Sequence, residues 1–157
     1  MNVTKLRTFL IQAFVLASES KAVRRKCAAL LIRKIDGVYV IVSSGVNGTD
    51  PGAPNVYEKD NVTLDSVTHA EINCLRRAPE VMMDDILVMT DSPCEFCLAA
   101  LYNEYGIRRV MYGRHYRICG HLSDPDYSDL TLVHDEISEI LAPAFMQSMR
   151  DSRIAAL

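Results

Sequence analysis

The segment 69–97 begins with His-Ala-Glu and ends with Pro-Cys-Glu-Phe-Cys, and these two ends carry three side chains with soft or borderline metal-binding atoms. They are His69, Cys94 and Cys97. Cysteine sulfur and histidine nitrogen are donors that Zn²⁺ prefers, and three protein ligands leave one tetrahedral position open for water. This number of ligands is typical of a catalytic zinc site rather than of a closed structural one.

Glu71 lies two residues after His69 and is not needed as a metal ligand. A carboxylate beside a metal-activated water can accept a proton from it and deliver that proton to a substrate. The Cys-x-x-Cys pair alone would also fit a redox pair, half of a structural zinc site, or two small buried side chains. The combination of this pair with His69 and Glu71 favours zinc-dependent hydrolysis. A closed or catalytically inactive zinc site is the alternative.

A helix that begins near His69 would position the first half of this site. Ser66 and Thr68 are capping residue types upstream, and Pro79 follows the segment. Side chains at i and i+2 diverge in the middle of a helix, but both can project past its end from the first turn. We therefore expect His69 and Glu71 to reach one metal from the start of this helix.

A second helix is predicted over 93–105, with Ser92 as its N-cap, Pro93 at the first helical position and Gly106 after its end. Cys94 and Cys97 would then lie one turn apart on one face. Two helix N-termini would face the metal, and their partial positive charge favours the thiolate form of cysteine.

The patterns His-Ala-Glu at 69–71 and Pro-Cys-Glu-Phe-Cys at 93–97 resemble the signature of the zinc-dependent cytidine and deoxycytidylate deaminase superfamily. The resemblance implies Zn²⁺ held by His69, Cys94 and Cys97, with Glu71 moving protons. Hydroxide would attack C4 of cytosine or C6 of adenine, and ammonia would leave. The implied fold is α/β, a three-layer cytidine-deaminase-like domain over 1–157, with a mixed five-stranded sheet and helices on both faces.

Three further segments resemble the deoxycytidylate branch of this superfamily. They are Lys26-Cys27-Ala28-Ala29 with the preceding Glu-Ser-Lys at 19–21, the loop Gly-Val-Asn-Gly-Thr-Asp-Pro-Gly at 45–52, and Asn73. The segment 106–113 resembles a strand that other deaminases share. The branch implies dCMP as the substrate and dUMP as the product, in pyrimidine deoxynucleotide metabolism.

The resemblance also implies substrate contacts. The residues are Lys26, Asn47, Thr49, Ala70, Ser92 and Tyr116. The Ala70 backbone N–H would bind the cytosine carbonyl, and the Ser92 carbonyl would accept from the amino group. Asn47 would hold the sugar or phosphate, and Lys26, aided by Tyr116, the 5′-phosphate. A solvated lysine, a partly exposed loop tyrosine and an Asn-Gly turn are the alternative interpretations.

Two departures from the family pattern affect regulation and a second metal. Val46 stands where the family loop has tyrosine, and the insertion between Gly52 and His69 is short, so regulation by deoxynucleoside triphosphates is not expected. Cys119 and His121 could form half of a second zinc site, together with Cys27 or Cys74. Buried or unpaired thiols are the simpler interpretation.

Composition restricts the possible compartment and partners. Hydrophobic residues make up 49% of the 157 residues, but no apolar run is as long as a membrane span. The N-terminal segment is interpreted as a helix rather than a signal peptide. Five cysteines, two of them assigned to zinc, leave an odd number, which favours a reducing cytoplasm, that of the host for a viral protein. The net charge of −3 does not favour a nucleic-acid substrate.

The rest of the chain is interpreted as alternating helices and strands. We predict a helix at 3–18, a hairpin of strands 27–32 and 38–42 around Asp36-Gly37, and loop from 45 to 68. Strands at 86–89 and 107–112 flank the helix over 93–105 in a βαβ unit, which requires a parallel pair. A strand at 130–133 and a helix from Ile137, interrupted at Pro143, complete the prediction.

The sequence therefore predicts a zinc-dependent, homo-oligomeric dCMP deaminase, a dimer or hexamer by resemblance, with no membrane segment. One alternative is a TadA-like deaminase of a nucleic-acid base. The pairs Arg24-Arg25, Arg76-Arg77 and Arg108-Arg109 would then form a continuous basic track beside the zinc. Otherwise one or two of these arginines could line a phosphate pocket, or all could be solvated surface and interface charges. Another alternative is an inactive, zinc-stabilised interaction subunit.

Overall fold

The computed structural model describes residues 1–115, 125–136, 140, 141, 143, 144 and 147. The elements in chain order are α1 (Val3–Ala17), β1 (Ala28–Ile35), β2 (Val38–Val46), β3 (Glu58–Lys59), β4 (Val62–Thr63), α2 (Ala70–Arg77), β5 (Ile86–Asp91), α3 (Glu95–Asn103), β6 (Arg109–Arg114), a 3₁₀ turn (Pro125–Tyr127) and β7 (Thr131–His134). No helix among these residues is long and apolar enough to cross a membrane.

The main sheet has five strands in the order β2-β1-β5-β6-β7. Strand β1 runs antiparallel to β2 and to β5, whereas β5, β6 and β7 are mutually parallel. Every residue of β5 is buried, because this central strand is covered on both faces. The predicted mixed five-stranded sheet and its βαβ unit are confirmed.

Helices cover both faces of this sheet. On one face, Leu6, Leu10 and Phe14 of α1 pack in a core with residues of β1, β5 and β6. On the other face, α2 and α3 contribute residues such as Leu75 and Leu98 to a second core. The predicted three-layer α/β arrangement is confirmed, and it places α2 and α3 on the same side of the sheet.

The first hairpin has the turn that its sequence predicts. Asp36 and Gly37 both have positive φ, +49° and +80°, as a two-residue turn of the I′ type requires. Strand β2, however, continues to Val46 through pairing with β1. The prediction of loop from residue 45 onward was therefore wrong at the end of β2. It was also wrong at the small β3–β4 hairpin, whose Asp60-Asn61 turn has a composition typical of loops.

The remaining predicted elements differ from the structure mainly at their ends. Helix α1 and strands β5, β6 and β7 are present, with ends shifted by at most two residues. Of the predicted C-terminal helix, Ile140 and Leu141 are helical. Most of that segment, including Ile137 and Met149, lies outside the described residues.

Candidate metal centre and substrate cavity

Four side chains that could bind a metal or move a proton converge at one point. Ligand atoms of His69, Glu71, Cys94 and Cys97 all lie within 4.8 Å of one another. The Nδ1 atom of His69 lies 3.5 Å from the Cys94 sulfur and 3.2 Å from the Cys97 sulfur. Usual Zn–S and Zn–N bond lengths at a tetrahedral angle separate sulfur from nitrogen by about 3.5 Å. Donor types and spacing therefore fit zinc.

Helix α2 positions His69 and Glu71 from its first turn, as predicted. His69 is the N-cap residue, with extended backbone, and its carbonyl accepts the Asn73 N–H at 3.1 Å. The Asn73 side chain donates to the carbonyl of Val46 at 2.9 Å, which ties the start of α2 to the end of β2. A Cβ atom on Gly45 would lie only 2.4 Å from the Cys74 backbone nitrogen, so α2 packs directly on β2.

Helix α3 begins two residues later than predicted, at Glu95, and its N-cap is Cys94. The Cys94 sulfur accepts the Cys97 N–H at 3.3 Å, so this metal-binding atom also caps the helix. The prediction of Ser92 as N-cap was wrong. Instead, the Ser92 N–H donates to the Arg114 carbonyl at 2.9 Å, next to the paired ends of β5 and β6.

The site changes the acidity of its own side chains. Burial raises the pKa of the Glu71 carboxyl, against the opposing effects of a backbone hydrogen bond and of His69. In the cysteine pair, the hydrogen bond from Cys97 lowers the pKa of Cys94 to about 4, whereas the same hydrogen bond and burial raise the pKa of Cys97. Metal binding requires the thiolate form, so it would displace the proton of Cys97.

A cavity of roughly 670 Å³, including its part open to solvent, adjoins these residues. His69, Glu71 and Cys94 line it together with small and apolar side chains such as Ala28, Val67 and Met89. This combination of an apolar wall with a few polar groups is typical of small-molecule sites.

Residues 3–114 match the sequence family described as the cytidine and deoxycytidylate deaminase zinc-binding region. The match covers well over half of the chain. The chain belongs to the cytidine and deoxycytidylate deaminase family. The cluster of one histidine, one glutamate and two cysteines in this chain could hold a metal ion, as the description of the family leads one to expect.

Three solved structures of other proteins share this fold. The dCMP deaminase of cyanophage S-TIM5, in complex with dCMP and dUMP, has a TM-score of 0.72 and 24% identity, over 86% of this chain and 99% of that one. Acinetobacter baumannii RibD has a TM-score of 0.65 and 16% identity, over 94% of this chain and 39% of that one. A structure from a study of tRNA:A34 deaminases has a TM-score of 0.53 and 20% identity, over 86% of this chain and 100% of that one. Comparison with curated proteins finds no match.

The predicted substrate contacts of this deaminase-family chain fall into three groups. Asn47, Ala70 and Ser92 line the cavity. Lys26 and Thr49 are not among the lining residues. The Lys26 ammonium donates to the Ser20 carbonyl, and the Thr49 hydroxyl donates to the Pro54 carbonyl at 3.3 Å. Tyr116 lies outside the described residues, as do Cys119 and His121 of the second zinc site considered above.

Asn47 binds two backbone groups through its side-chain amide. Its Oδ1 atom accepts the Cys27 N–H at 2.9 Å, and its Nδ2 atom donates to the Arg25 carbonyl at 2.8 Å. The amide thus fixes the segment that leads into β1. Whatever it contributes to a substrate, Asn47 shapes the cavity wall by holding residues 25–27.

Two charged residues of the cavity wall were not assigned to it from the sequence. From the sequence, Arg25 was one of six paired arginines, of which one or two could line a phosphate pocket, and Asp91 was not singled out. Both residues line the cavity. A usable signal was the position of Asp91 at the carboxyl end of a parallel strand, where α/β sheets bind ligands. No local pattern indicates that Arg25 meets it, because the two residues lie far apart in the chain.

Proposed function

We propose that this protein is a zinc-dependent hydrolase that deaminates dCMP to dUMP and releases ammonia. His69, Cys94 and Cys97 hold the metal in this proposal, and Glu71 transfers protons. The observation that carries it is the convergence of their ligand atoms, within 4.8 Å, beside an open cavity. Membership of the cytidine and deoxycytidylate deaminase family supports the same reaction class.

The buried carboxyl of Glu71 is the group that moves protons in this proposal. When bound, zinc supplies the Lewis acidity that makes water a nucleophile near neutral pH. Glu71 accepts the two protons of the attacking water in turn. It delivers one to ring N3 as the C4–O bond forms and the other to the amino group, and the C4–N bond then breaks to release ammonia. Because burial raises the pKa of this carboxyl, it can hold each proton between acceptance and delivery.

Backbone groups in the cavity wall would orient the cytosine ring. The N–H of Ala70, in the first turn of α2, would donate to the ring carbonyl, and the carbonyl of Ser92 would accept from the amino group. Both residues line the cavity. Asn47 would contact the sugar with hydrogen-bonding capacity beyond its two backbone partners. Contacts from Lys26, Thr49 and Tyr116 stay predictions.

A nucleic-acid substrate has less support from the arrangement of arginines. Arg108 pairs with Asp129 and Arg109 pairs with Asp84, so acidic partners offset the charge of this pair. A track of arginines that binds a phosphate backbone would instead present its charge to solvent. We therefore propose a mononucleotide and keep the polynucleotide as an outcome of the test.

The proposed reaction is tested by side-by-side turnover of the zinc-loaded protein on dCMP, dCTP, deoxycytidine, a short single-stranded oligonucleotide and tRNA. Loss of the amino group is followed by absorbance or by ammonia release. We expect dCMP to have the highest kcat/KM. Turnover of only the oligonucleotide or tRNA, or of no compound, would contradict the proposal.

The state of the cysteines bears on the cellular setting. Cys27, Cys74, Cys94 and Cys97 are all free thiols, which suits the reducing cytoplasm of a cell or of a viral host. A single domain over 1–157 and a homo-oligomer, a dimer or hexamer, stay predictions. Sedimentation equilibrium of the zinc-loaded protein would measure the assembly.

A further inference from the structure

The carboxylate of Asp91 is buried in the cavity wall, 5% exposed, and holds two arginines at once. Its Oδ2 atom accepts from Nε of Arg25. Its Oδ1 atom accepts from Nη2 of Arg114 at 2.6 Å and from Nε of the same residue at 3.2 Å. Arg114 also donates to the Lys26 carbonyl at 3.0 Å, so it fixes the chain next to Arg25 as well.

This cluster carries a net positive charge, and two of its members, Arg25 and Asp91, line the cavity. Both guanidinium groups stay protonated at any physiological pH, and one carboxylate offsets one of them. Of the described residues that line the cavity, Arg25 alone carries a permanent positive charge. The cavity therefore has one built-in position suited to an anion.

The cluster is rigid because strong tertiary contacts hold each member. Asp91 and Arg114 are register partners at the ends of β5 and β6. The Arg114 guanidinium also lies over the Phe14 ring, 5.2 Å from its centroid. A guanidinium held in this way is preorganised, so less conformational entropy is lost when it binds an anion.

We infer that Arg25, held in place by Asp91 and Arg114, binds the 5′-phosphate of a nucleoside monophosphate in the cavity. Asp91 and Arg114 are then positioning residues that set the preference for phosphorylated substrates. The planar guanidinium matches phosphate oxygens in geometry and charge. This inference rests on the proposed deaminase function, and it assigns to Arg25 the role that the sequence resemblance assigned to Lys26.

The test compares kcat/KM for dCMP and deoxycytidine in the zinc-loaded wild type, Arg25→Gln, Asp91→Asn and Arg114→Gln. Loss of a hydrogen bond to a charged group predicts that Arg25→Gln lowers the preference for dCMP by roughly ten- to a hundredfold, mainly through KM. The two positioning variants should lower it in the same direction by less. Inorganic phosphate should compete with dCMP in the wild type and not in Arg25→Gln.

The ion pair between Arg33 and Asp85 is a matched control, because it lies at the start of β5 whereas Asp91 lies at its end. Arg33 binds Asp85 through two hydrogen bonds of 2.7 and 2.8 Å, and Asp85 is fully buried just before β5, but neither residue lines the cavity. Arg33→Gln should lose thermal stability and keep the preference for dCMP. If Arg114→Gln does not fold, Arg114→Lys keeps one charge there and should give a partial loss of preference.

Two failures are distinguishable. A wild type that deaminates dCMP, with a preference that Arg25→Gln and Asp91→Asn leave unchanged, overturns the inference and leaves the proposed function intact. A wild type that turns over no cytosine compound overturns the proposed function. Calorimetric binding of dUMP and deoxyuridine then tests Arg25 by itself, since equal affinities for the two in the wild type would overturn its role.

Discussion

Glu71 is 5% exposed and lies on the first turn of α2, among three side chains that could bind a metal. Burial disfavours the charged form of a carboxyl group and raises its pKa. The neighbouring His69 acts in the opposite direction and favours the charged form. A carboxyl balanced between these effects can serve both as the base that takes a proton and as the acid that returns it.

Replacing the Glu71 carboxyl by an amide should separate catalysis from metal binding. Glu71→Gln keeps the size of the side chain but cannot transfer protons, so kcat for dCMP should fall by about 10² to 10⁴. Zinc content, measured by elemental analysis, should be unchanged because His69, Cys94 and Cys97 remain. Glu95→Gln, at an exposed position beside the same cysteines, is the control that should retain activity. Near-normal turnover by Glu71→Gln would refute its assigned role.

The amide of Asn47 should contribute measurably to stability. Asn47→Ala removes the partners of the Cys27 N–H and the Arg25 carbonyl, and an unsatisfied buried polar group costs about 1–3 kcal/mol. We expect the free energy of unfolding, measured by chemical denaturation, to fall by about 2 kcal/mol. Asn47→Asp keeps the acceptor for Cys27 and should lose less. Equal stability of Asn47→Ala and wild type would show that these bonds contribute nothing.

At the scale of elements, two helix N-termini and one strand end form the site. Helix α2 carries Glu71 and has His69 as its N-cap, and α3 carries Cys97 and has Cys94 as its N-cap. Strand β5 ends at Asp91, three residues before Cys94. Both helices pack in the same core layer, so their first turns can share a metal. The close contact of α2 with β2 at Gly45 sets how near the helix lies to the sheet.

That contact predicts the effect of one added methyl group. In Gly45→Ala the new Cβ would lie 2.4 Å from the Cys74 nitrogen and 2.7 Å from the Ala70 carbonyl oxygen, so α2 must move. Overpacking of this kind costs about 1–3 kcal/mol, and turnover should fall because His69 and Glu71 move with the helix. Thermal unfolding and kcat measure the two effects.

The neighbouring substitution Ser44→Ala is the control for Gly45→Ala. It adds no atom, and its side chain points to the opposite face of β2. It should leave both stability and turnover close to those of the wild type. A Gly45→Ala protein as stable and active as Ser44→Ala would show that α2 does not need this close approach.

At the scale of the whole molecule, the metal would join segments that are distant in the chain. His69 and Glu71 precede β5, whereas Cys94 and Cys97 follow it, so a bound ion links the two helices across the end of the central strand. A ligand that binds only the folded state stabilises it by mass action. Metal binding should therefore contribute to stability as well as to activity.

Removal of the metal should lower the melting temperature. With zinc at a thousand times its dissociation constant the stabilisation is about 4 kcal/mol, which corresponds to a shift of roughly 10 °C for a chain of this size. Scanning calorimetry before and after chelation measures it. Added zinc should restore the melting temperature, whereas magnesium, which prefers oxygen ligands, should not. An unchanged transition after verified loss of zinc would contradict the linkage.

The sequence by itself determined the features whose signals are local. The cluster of candidate metal-binding side chains was predicted from donor types and spacing. The first hairpin was predicted from Asp36-Gly37, where positive φ is required at adjacent positions. Helix α1 follows from apolar spacing, and the βαβ unit follows from two apolar strands around one helix. Each of these signals is contained within a short stretch, so no distant contact is needed to interpret it.

Only the tertiary structure decided which distant residues meet. Arg25, Asp91 and Arg114 belong to three separate segments, and they converge because β5 and β6 align in one particular register beside the start of β1. Pairing with β1 likewise extends β2 to Val46 through a stretch whose composition is typical of a loop. Ser92 does not cap α3, because strand pairing takes its N–H and the Cys94 sulfur caps the helix. Register and packing depend on the whole sheet, and no local pattern encodes them.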